Sequence, residues 1–189
     1  MLRIVHKQIK TCVTNIDFKN QLVNVKWKSK VSIIPNSAPD IFHELGLIRR
    51  GFKSPLIIGF AGKASSSGND NDLQVAVRLV IKYPEIREKV RFVFIGCEKS
   101  FVTQMIELME INLVPKDSIN FIEHLLHDRL VNEIKKFDLA LIPYPDSPYY
   151  ERSFPIQVIE MAAAGVPMLA SNTKAHRRIL GMENKLLFQ

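Results

Sequence analysis

Residues 137–171 read FDLALIPYPDSPYYERSFPIQVIEMAAAGVPMLAS. Residues 139–144 form a short apolar run, and residues 166–171 form another. Between them Ser153 offers a helix cap, Pro155 sits in the expected first turn, and Gly165 falls just past the end of the helical run. Strand, helix and strand at this spacing predict one unit of a parallel sheet.

The same alternation extends outward along the chain. Strands are expected over residues 30–35, 56–62, 91–96, 118–123, 139–144, 166–171 and 185–188. Several are continuously apolar, as in Phe92-Val93-Phe94-Ile95, which is how strands covered on both faces read. Helices fill the gaps. Leu130, Val131, Ile134 and Phe137 recur at three to four residues, with Asp128 as the expected cap. Ser100 is the expected cap of a helix over 101–113, striped by Val102, Met105, Ile106 and Met109. Residues 72–83 form another, ending before Pro84. The fold class is therefore α/β: a doubly wound, mostly parallel, six-stranded sheet.

Two stretches break the alternation. Residues 63–71 are rich in Ser, Gly and Asn and predict a loop. Residues 143–154 carry Pro143, Pro145 and Pro148 and are expected to be neither helix nor strand. Both follow the carboxyl ends of strands, the edge where open parallel sheets bind ligands, so both should lie on one edge.

Composition narrows the function classes. The chain has 189 residues, 47% hydrophobic and 24% charged, which is ordinary for one globular domain and excludes disorder and coiled coil. No apolar run approaches the ~20 residues of a membrane span. The N-terminus lacks a signal-peptide core. Cys12 and Cys97 alone do not make a disulfide framework or a cysteine metal site, so a reducing compartment, the cytoplasm, is expected. The formal net charge of +7 favours anionic partners, such as a phosphate-bearing small ligand or an anionic membrane surface at the inner face. No nucleic-acid-binding signature accompanies it, so nucleic acid is not an expected partner.

Three positions carry chemistry. Gly59-Phe60-Ala61-Gly62-Lys63-Ala64 fails as a P-loop, because the first Gly would fall at Ile57 and a hydroxyl would be needed at Ala64. Gly59 and Gly62 also miss the dinucleotide spacing. What remains is Lys63 at the end of a central strand, beside a glycine that lets backbone approach a ligand. Glu160 is a carboxylate in an otherwise apolar, small-residue helix, where it needs partners. Ligand hydroxyls or a structural basic group would serve. The helix start near Ser153, Phe154, Pro155 and Ile156 presents free N–H groups suited to phosphate.

With these residues in view, 137–171 resembles the donor-binding region of the group 1 glycosyltransferases (GT-B architecture, family 4). KVSIIPNSAPDIF (30–42), LIIGFAGK (56–63), RFVFIG (91–96) and INFIEH (119–124) resemble further segments of that family. The resemblance implies a second Rossmann-like domain over residues 30–189 that binds a nucleotide-sugar. Residues 1–29 would be a remnant of the preceding acceptor-side domain and linker. The rest of that acceptor domain and a terminal helix would be missing.

The resemblance also implies site roles. Glu160 would hold the donor ribose. Lys63, Gly62, Arg152, Ser153, Phe154, Pro155 and Ile156 would face the donor phosphates, and His124 and Glu123 the base. The first Glu of the family's E-x7-E motif falls at Arg152, with Glu151 one residue off register, and a lysine of some relatives is Gln157. A nucleotide-sugar would be the co-substrate, with no electron-carrying cofactor and no metal. The catalytic residues stay unassigned. The alternative is a catalytically degenerate nucleotide-binding or partner-binding domain. A receiver-like signalling domain is disfavoured, because no acidic pair closes the first strand.

Overall fold

The computed structural model describes residues 11–13, 19–20, 31–43, 54–64, 73–145, 147–181 and 187–188. Its elements in chain order are β1 (Thr11–Val13), β2 (Val31–Ile33), α1 (Asp40–His43), β3 (Leu56–Ala61), α2 (Gln74–Lys82), α3 (Ile86–Lys89), β4 (Val90–Ile95), α4 (Lys99–Ile111), a 3-10 turn (Lys116–Ser118), β5 (Ile119–Ile122), α5 (His127–Ile134), β6 (Leu139–Ile142), α6 (Pro148–Arg152), α7 (Ile156–Ala163), β7 (Met168–Ser171), α8 (Lys174–Leu180) and β8 (Leu187–Phe188). Most of the loop expected over 63–71 lies outside the described residues.

Strands β3 to β8 form a six-stranded sheet in the order β5-β4-β3-β6-β7-β8. Every neighbouring pair is parallel. The chain therefore starts in the middle, builds outward to one side, crosses back and builds outward to the other. This is the doubly wound order whose reversal point, here between β3 and β6, opens a crevice at the carboxyl edge. The strand expected over 30–35 does not join it. Its core β2 pairs with β1 in a separate two-stranded parallel sheet.

The continuous apolar runs are explained by cover on both faces. Phe60, Phe92 and Phe94 pack with Val77, Val80, Phe101 and Met105 of α2 and α4. Ala61, Ile95, Ala140 and Ile142 pack with Val131, Ile134, Val158 and Met161 of α5 and α7. The period-two alternation of strand side chains sends Phe60 to one layer and Ala61 to the other.

β6 is seated on β3 by Asp138. Its carboxylate Oδ2 accepts from the Ile57 N–H at 2.8 Å, and its own N–H donates to the Ile57 carbonyl at 2.8 Å. This brings the buried Phe137 ring over Gly59 so closely that a Cβ there would lie inside it. Gly59 is thus a glycine for close approach.

Helix ends differ from the sequence expectation in instructive ways. α4 starts at Lys99 with Glu98 as its N-cap, so Ser100 is inside the helix. α5 is capped by Leu126, leaving Asp128 in the first turn, where its charge suits the positive end of the helix dipole. Residues 143–154, expected to be irregular, contain α6. The Ser147 hydroxyl accepts from the Tyr150 N–H, and Pro148 occupies the first turn, where a missing N–H costs nothing. Ser153 closes α6 rather than opening α7: its N–H and hydroxyl both donate to the Tyr150 carbonyl. The residue preceding α7 is Pro155. At the other end of α7, Gly165 has φ +67°, its N–H donates to Ala162, and the Val166 N–H donates to Met161. That pair of bonds is the Schellman closure that Gly165 was expected to provide.

Candidate functional site

The carboxyl ends of β3, β4 and β5 and one face of α5 and α7 enclose a cavity of about 800 Å³. Ala61, Gly62 and Lys63 follow β3, Gly96 to Lys99 follow β4, and Glu123 to Leu125 follow β5. His127 and Leu130 come from α5, and Ile156, Gln157 and Glu160 from α7. A smaller cavity of about 170 Å³ adjoins it, lined by Phe60, Ala64, Leu73, Pro143, Tyr144, Pro145 and Tyr150. Lys63 and Gln157 belong to both walls. The described parts of the two irregular loops therefore meet on one sheet edge, as expected.

Of the residues singled out in the sequence, Gly62, Lys63, Glu123, His124, Ile156 and Glu160 come together in this lining. Arg152, Ser153, Phe154 and Pro155 do not line it. The Phe154 carbonyl instead accepts from Asn36 Nδ2 at 3.2 Å, which ties the 30–42 segment to the start of α7. Glu151 is turned away, its Oε1 accepting from the Lys174 N–H at 2.8 Å. Sequence reading missed His127 and Glu98, and noted Gln157 only as standing where some relatives carry a lysine. Their partners lie far along the chain or on another element, and no local spacing announces such pairs.

Glu160 is 6% exposed. His127 Nε2 lies 3.6 Å from its Oε1. The His127 ring meets the fully buried Phe42 of α1 edge-on at 6.1 Å. Burial raises the Glu160 carboxyl above its ordinary value, and His127 opposes part of that shift. An under-partnered carboxylate beside a cavity can accept two hydroxyl donors at once.

Lys63 is held differently. Its ammonium lies 3.0 Å from Glu98 Oε1, with the lysine side chain 77% exposed and the glutamate 39%. The Gly62 N–H is spent on the Ile95 carbonyl at 3.0 Å, and the Gly96 N–H on Ile122 at 3.0 Å. No side chain caps the amides that open α7. The lining holds two lysines, three glutamates and two histidines. An anion there relies on the α7 amides and dipole as much as on ammonium charge.

Burial pushes the Cys97 thiol up to about 12, so it stands as a neutral thiol and not as a nucleophile. Among the described residues no group of three or more His, Cys, Asp or Glu stands ready to hold a metal ion. No described helix is long and apolar enough to cross a membrane.

The family described as "Glycosyl transferases group 1" matches residues 55–189. The chain belongs to that family. No curated protein matches it significantly. Among solved structures, TarM is similar at TM-score 0.60 and 11% identity, covering 95% of this chain and 33% of TarM. HepE from Anabaena, solved with UDP and glucose, gives 0.57 and 11%, covering 94% and 48%. The pneumococcal O-GlcNAc transferase GtfA, solved with UDP and GlcNAc, gives 0.58 and 15%, covering 92% and 32%. At such identities these likenesses establish the fold. The chain spans between a third and a half of the length of these proteins.

Proposed function

We propose that this chain is the donor half of a glycosyltransferase and binds a nucleotide-sugar in the 800 Å³ cavity. The observation that carries the reading is Glu160, a buried carboxylate on α7 that lines this cavity at the carboxyl edge of the parallel sheet. A ribose supplies the two hydroxyl donors it lacks. The α7 amides and Lys63 take the diphosphate, and His124 and Glu123, after β5, stand toward the base. Ligand recognition here needs neither metal nor redox cofactor. Sugar transfer requires an acceptor held opposite the donor, and positioning supplies much of the rate. We assign that task to an acceptor domain absent from this chain. The full enzyme would work in the cytoplasm, where the basic surplus suits an anionic inner membrane face.

The expected result is a rise in melting temperature with UDP, GDP, ADP or CDP and their sugars, through RT ln(1 + [L]/Kd). No shift with any of them defeats the reading. A nucleotide-binding domain without catalysis is the second reading. It is favoured by Glu151 facing Lys174 and by Lys63 facing Glu98. Turnover of a nucleotide-sugar by the full-length protein decides between the two.

The Lys63–Glu98 pair gives a graded test. Lys63→Ala should weaken a nucleoside diphosphate and spare the bare nucleoside. Glu98→Gln should tighten the diphosphate, since the ammonium no longer has to leave a carboxylate. An exposed pair is worth about 0.2–1 kcal/mol, so each effect should be roughly 1.5- to 5-fold. Calorimetric titration with both ligands reads it. Equal changes for nucleoside and diphosphate would place Lys63 away from the phosphates.

A further inference from the structure

The wall shared by the two cavities contains a side chain whose orientation is fixed from behind. Gln157 is the second residue of α7 and lines both cavities. The Tyr144 hydroxyl donates to Gln157 Oε1. An amide whose oxygen is held on one side presents its N–H2 group on the other. That other side is Gly62, where a Cβ would stand 2.6 Å from Gln157 Nε2. The absence of a side chain at Gly62 gives the N–H2 group its place. Among the described residues it has no hydrogen-bond partner.

Tyr144 is itself anchored. Its N–H donates to Ser171 Oγ at 2.8 Å. Its ring lies 4.8 Å from the ring of His176, whose Nδ1 is 2.6 Å from the Ser171 carbonyl, and 4.7 Å from the ring of Tyr150. His176 is fully buried. The hydroxyl is thus aimed by the ends of β6 and β7 together.

We infer that Tyr144 is a positioning residue that locks the Gln157 amide with its N–H2 group toward the phosphate end of the cavity, where it donates to a phosphate oxygen. This rests on the nucleotide reading above. Gln157 and Glu160 are three residues apart on one helical face, roughly 4.5 Å along the axis. One ligand lying along α7 would meet the amide with its phosphate and the carboxylate with its ribose. The donor is neutral, so it adds direction without charge, in a lining that already sets lysines against glutamates.

The test is a double-mutant cycle with Tyr144→Phe and Gln157→Ala, using UDP and uridine as probes and following the Gln157 side-chain N–H2 resonances by NMR. UDP should shift that N–H2 pair, and uridine should not. Tyr144→Phe should weaken UDP by roughly 3- to 10-fold when Gln157 is present and by less than about 1.5-fold in the Gln157→Ala background. Equal losses in both backgrounds would make Tyr144 a packing residue and overturn the inference. UDP binding that shifts resonances near Glu160 but leaves the Gln157 pair unmoved would overturn it while sparing the nucleotide reading. Absence of binding by UDP, GDP, ADP and CDP alike would overturn both.

Discussion

Glu160→Gln should weaken nucleoside diphosphate binding by roughly 10- to 150-fold, the about 1.5–3 kcal/mol of a hydrogen bond to a charged group. The same change should make the ligand-free protein more stable at neutral pH. The Glu160 carboxyl is raised above its ordinary value of 4.5, chiefly because burial penalises its charge. A carboxyl raised in this way holds its proton more tightly when folded than when unfolded. Stability therefore falls as pH climbs from 4.5 through the raised value, and this loss persists above it. Gln carries no such penalty. The melting temperatures of wild type and variant should converge below pH 4.5 and part above it, with the variant higher. A 2′,3′-dideoxy nucleotide supplies the control. Wild type should bind it poorly, and the variant should discriminate far less. A variant that melts lower without ligand and keeps the same ribose discrimination would make Glu160 a structural acid.

Gly59→Ala should be the most damaging single methyl group in the sheet. The added Cβ would lie inside the Phe137 ring, which is buried and cannot swing into solvent without losing its packing. Overpacking commonly costs ~1–3 kcal/mol, and expelling a buried phenyl ring costs ~3–5 kcal/mol. A loss of about 3 kcal/mol is expected. That lowers the melting temperature by roughly 6–12 °C for a domain of this size. Phe137→Leu should cost stability in the wild type and recover some in the Gly59→Ala background. Strict additivity of the two changes would show that the ring is not what the methyl meets.

The sheet was legible because strands covered on both faces leave long apolar runs, and Phe92-Val93-Phe94-Ile95 admits few other readings. Helix limits were less so. Ser100 and Asp128 are good caps by type, but each lies inside its helix, since helix starts here follow the docking of Phe101 and Val131 on the sheet. α6 was hidden by its own prolines: Pro148 breaks a helix interior but serves a first turn, and only the Ser147 cap tells the two apart. β2 reads as a strand in isolation, while its partner β1 lies twenty residues earlier in register.

Within the site, Glu160 stood out as a lone carboxylate on an apolar helix. The Lys63–Glu98 pair did not, because its members come from neighbouring strands β3 and β4. Nor did the grip of Tyr144 on Gln157, which needs α7 to fold back over the end of β6. Arg152 was placed near the phosphates by the family resemblance, and Ser153 by that resemblance and as the expected helix start; Ser153 instead closes α6, and neither lines the cavity.

The middle position of β3 has a consequence during synthesis. Its β4 side is paired by the very next strand, but its other side waits for β6, and Ile57 waits for Asp138, 81 residues later. At ribosomal rates of ~5–20 residues per second this is a delay of roughly 4–16 s. Throughout it, a nascent chain carries an open strand edge flanked by Ile57, Ile58 and Phe60, suited to pairing with another nascent chain. Slowed decoding between residues 62 and 138 should therefore lower the soluble yield more than the same slowing after residue 142, when that edge is closed.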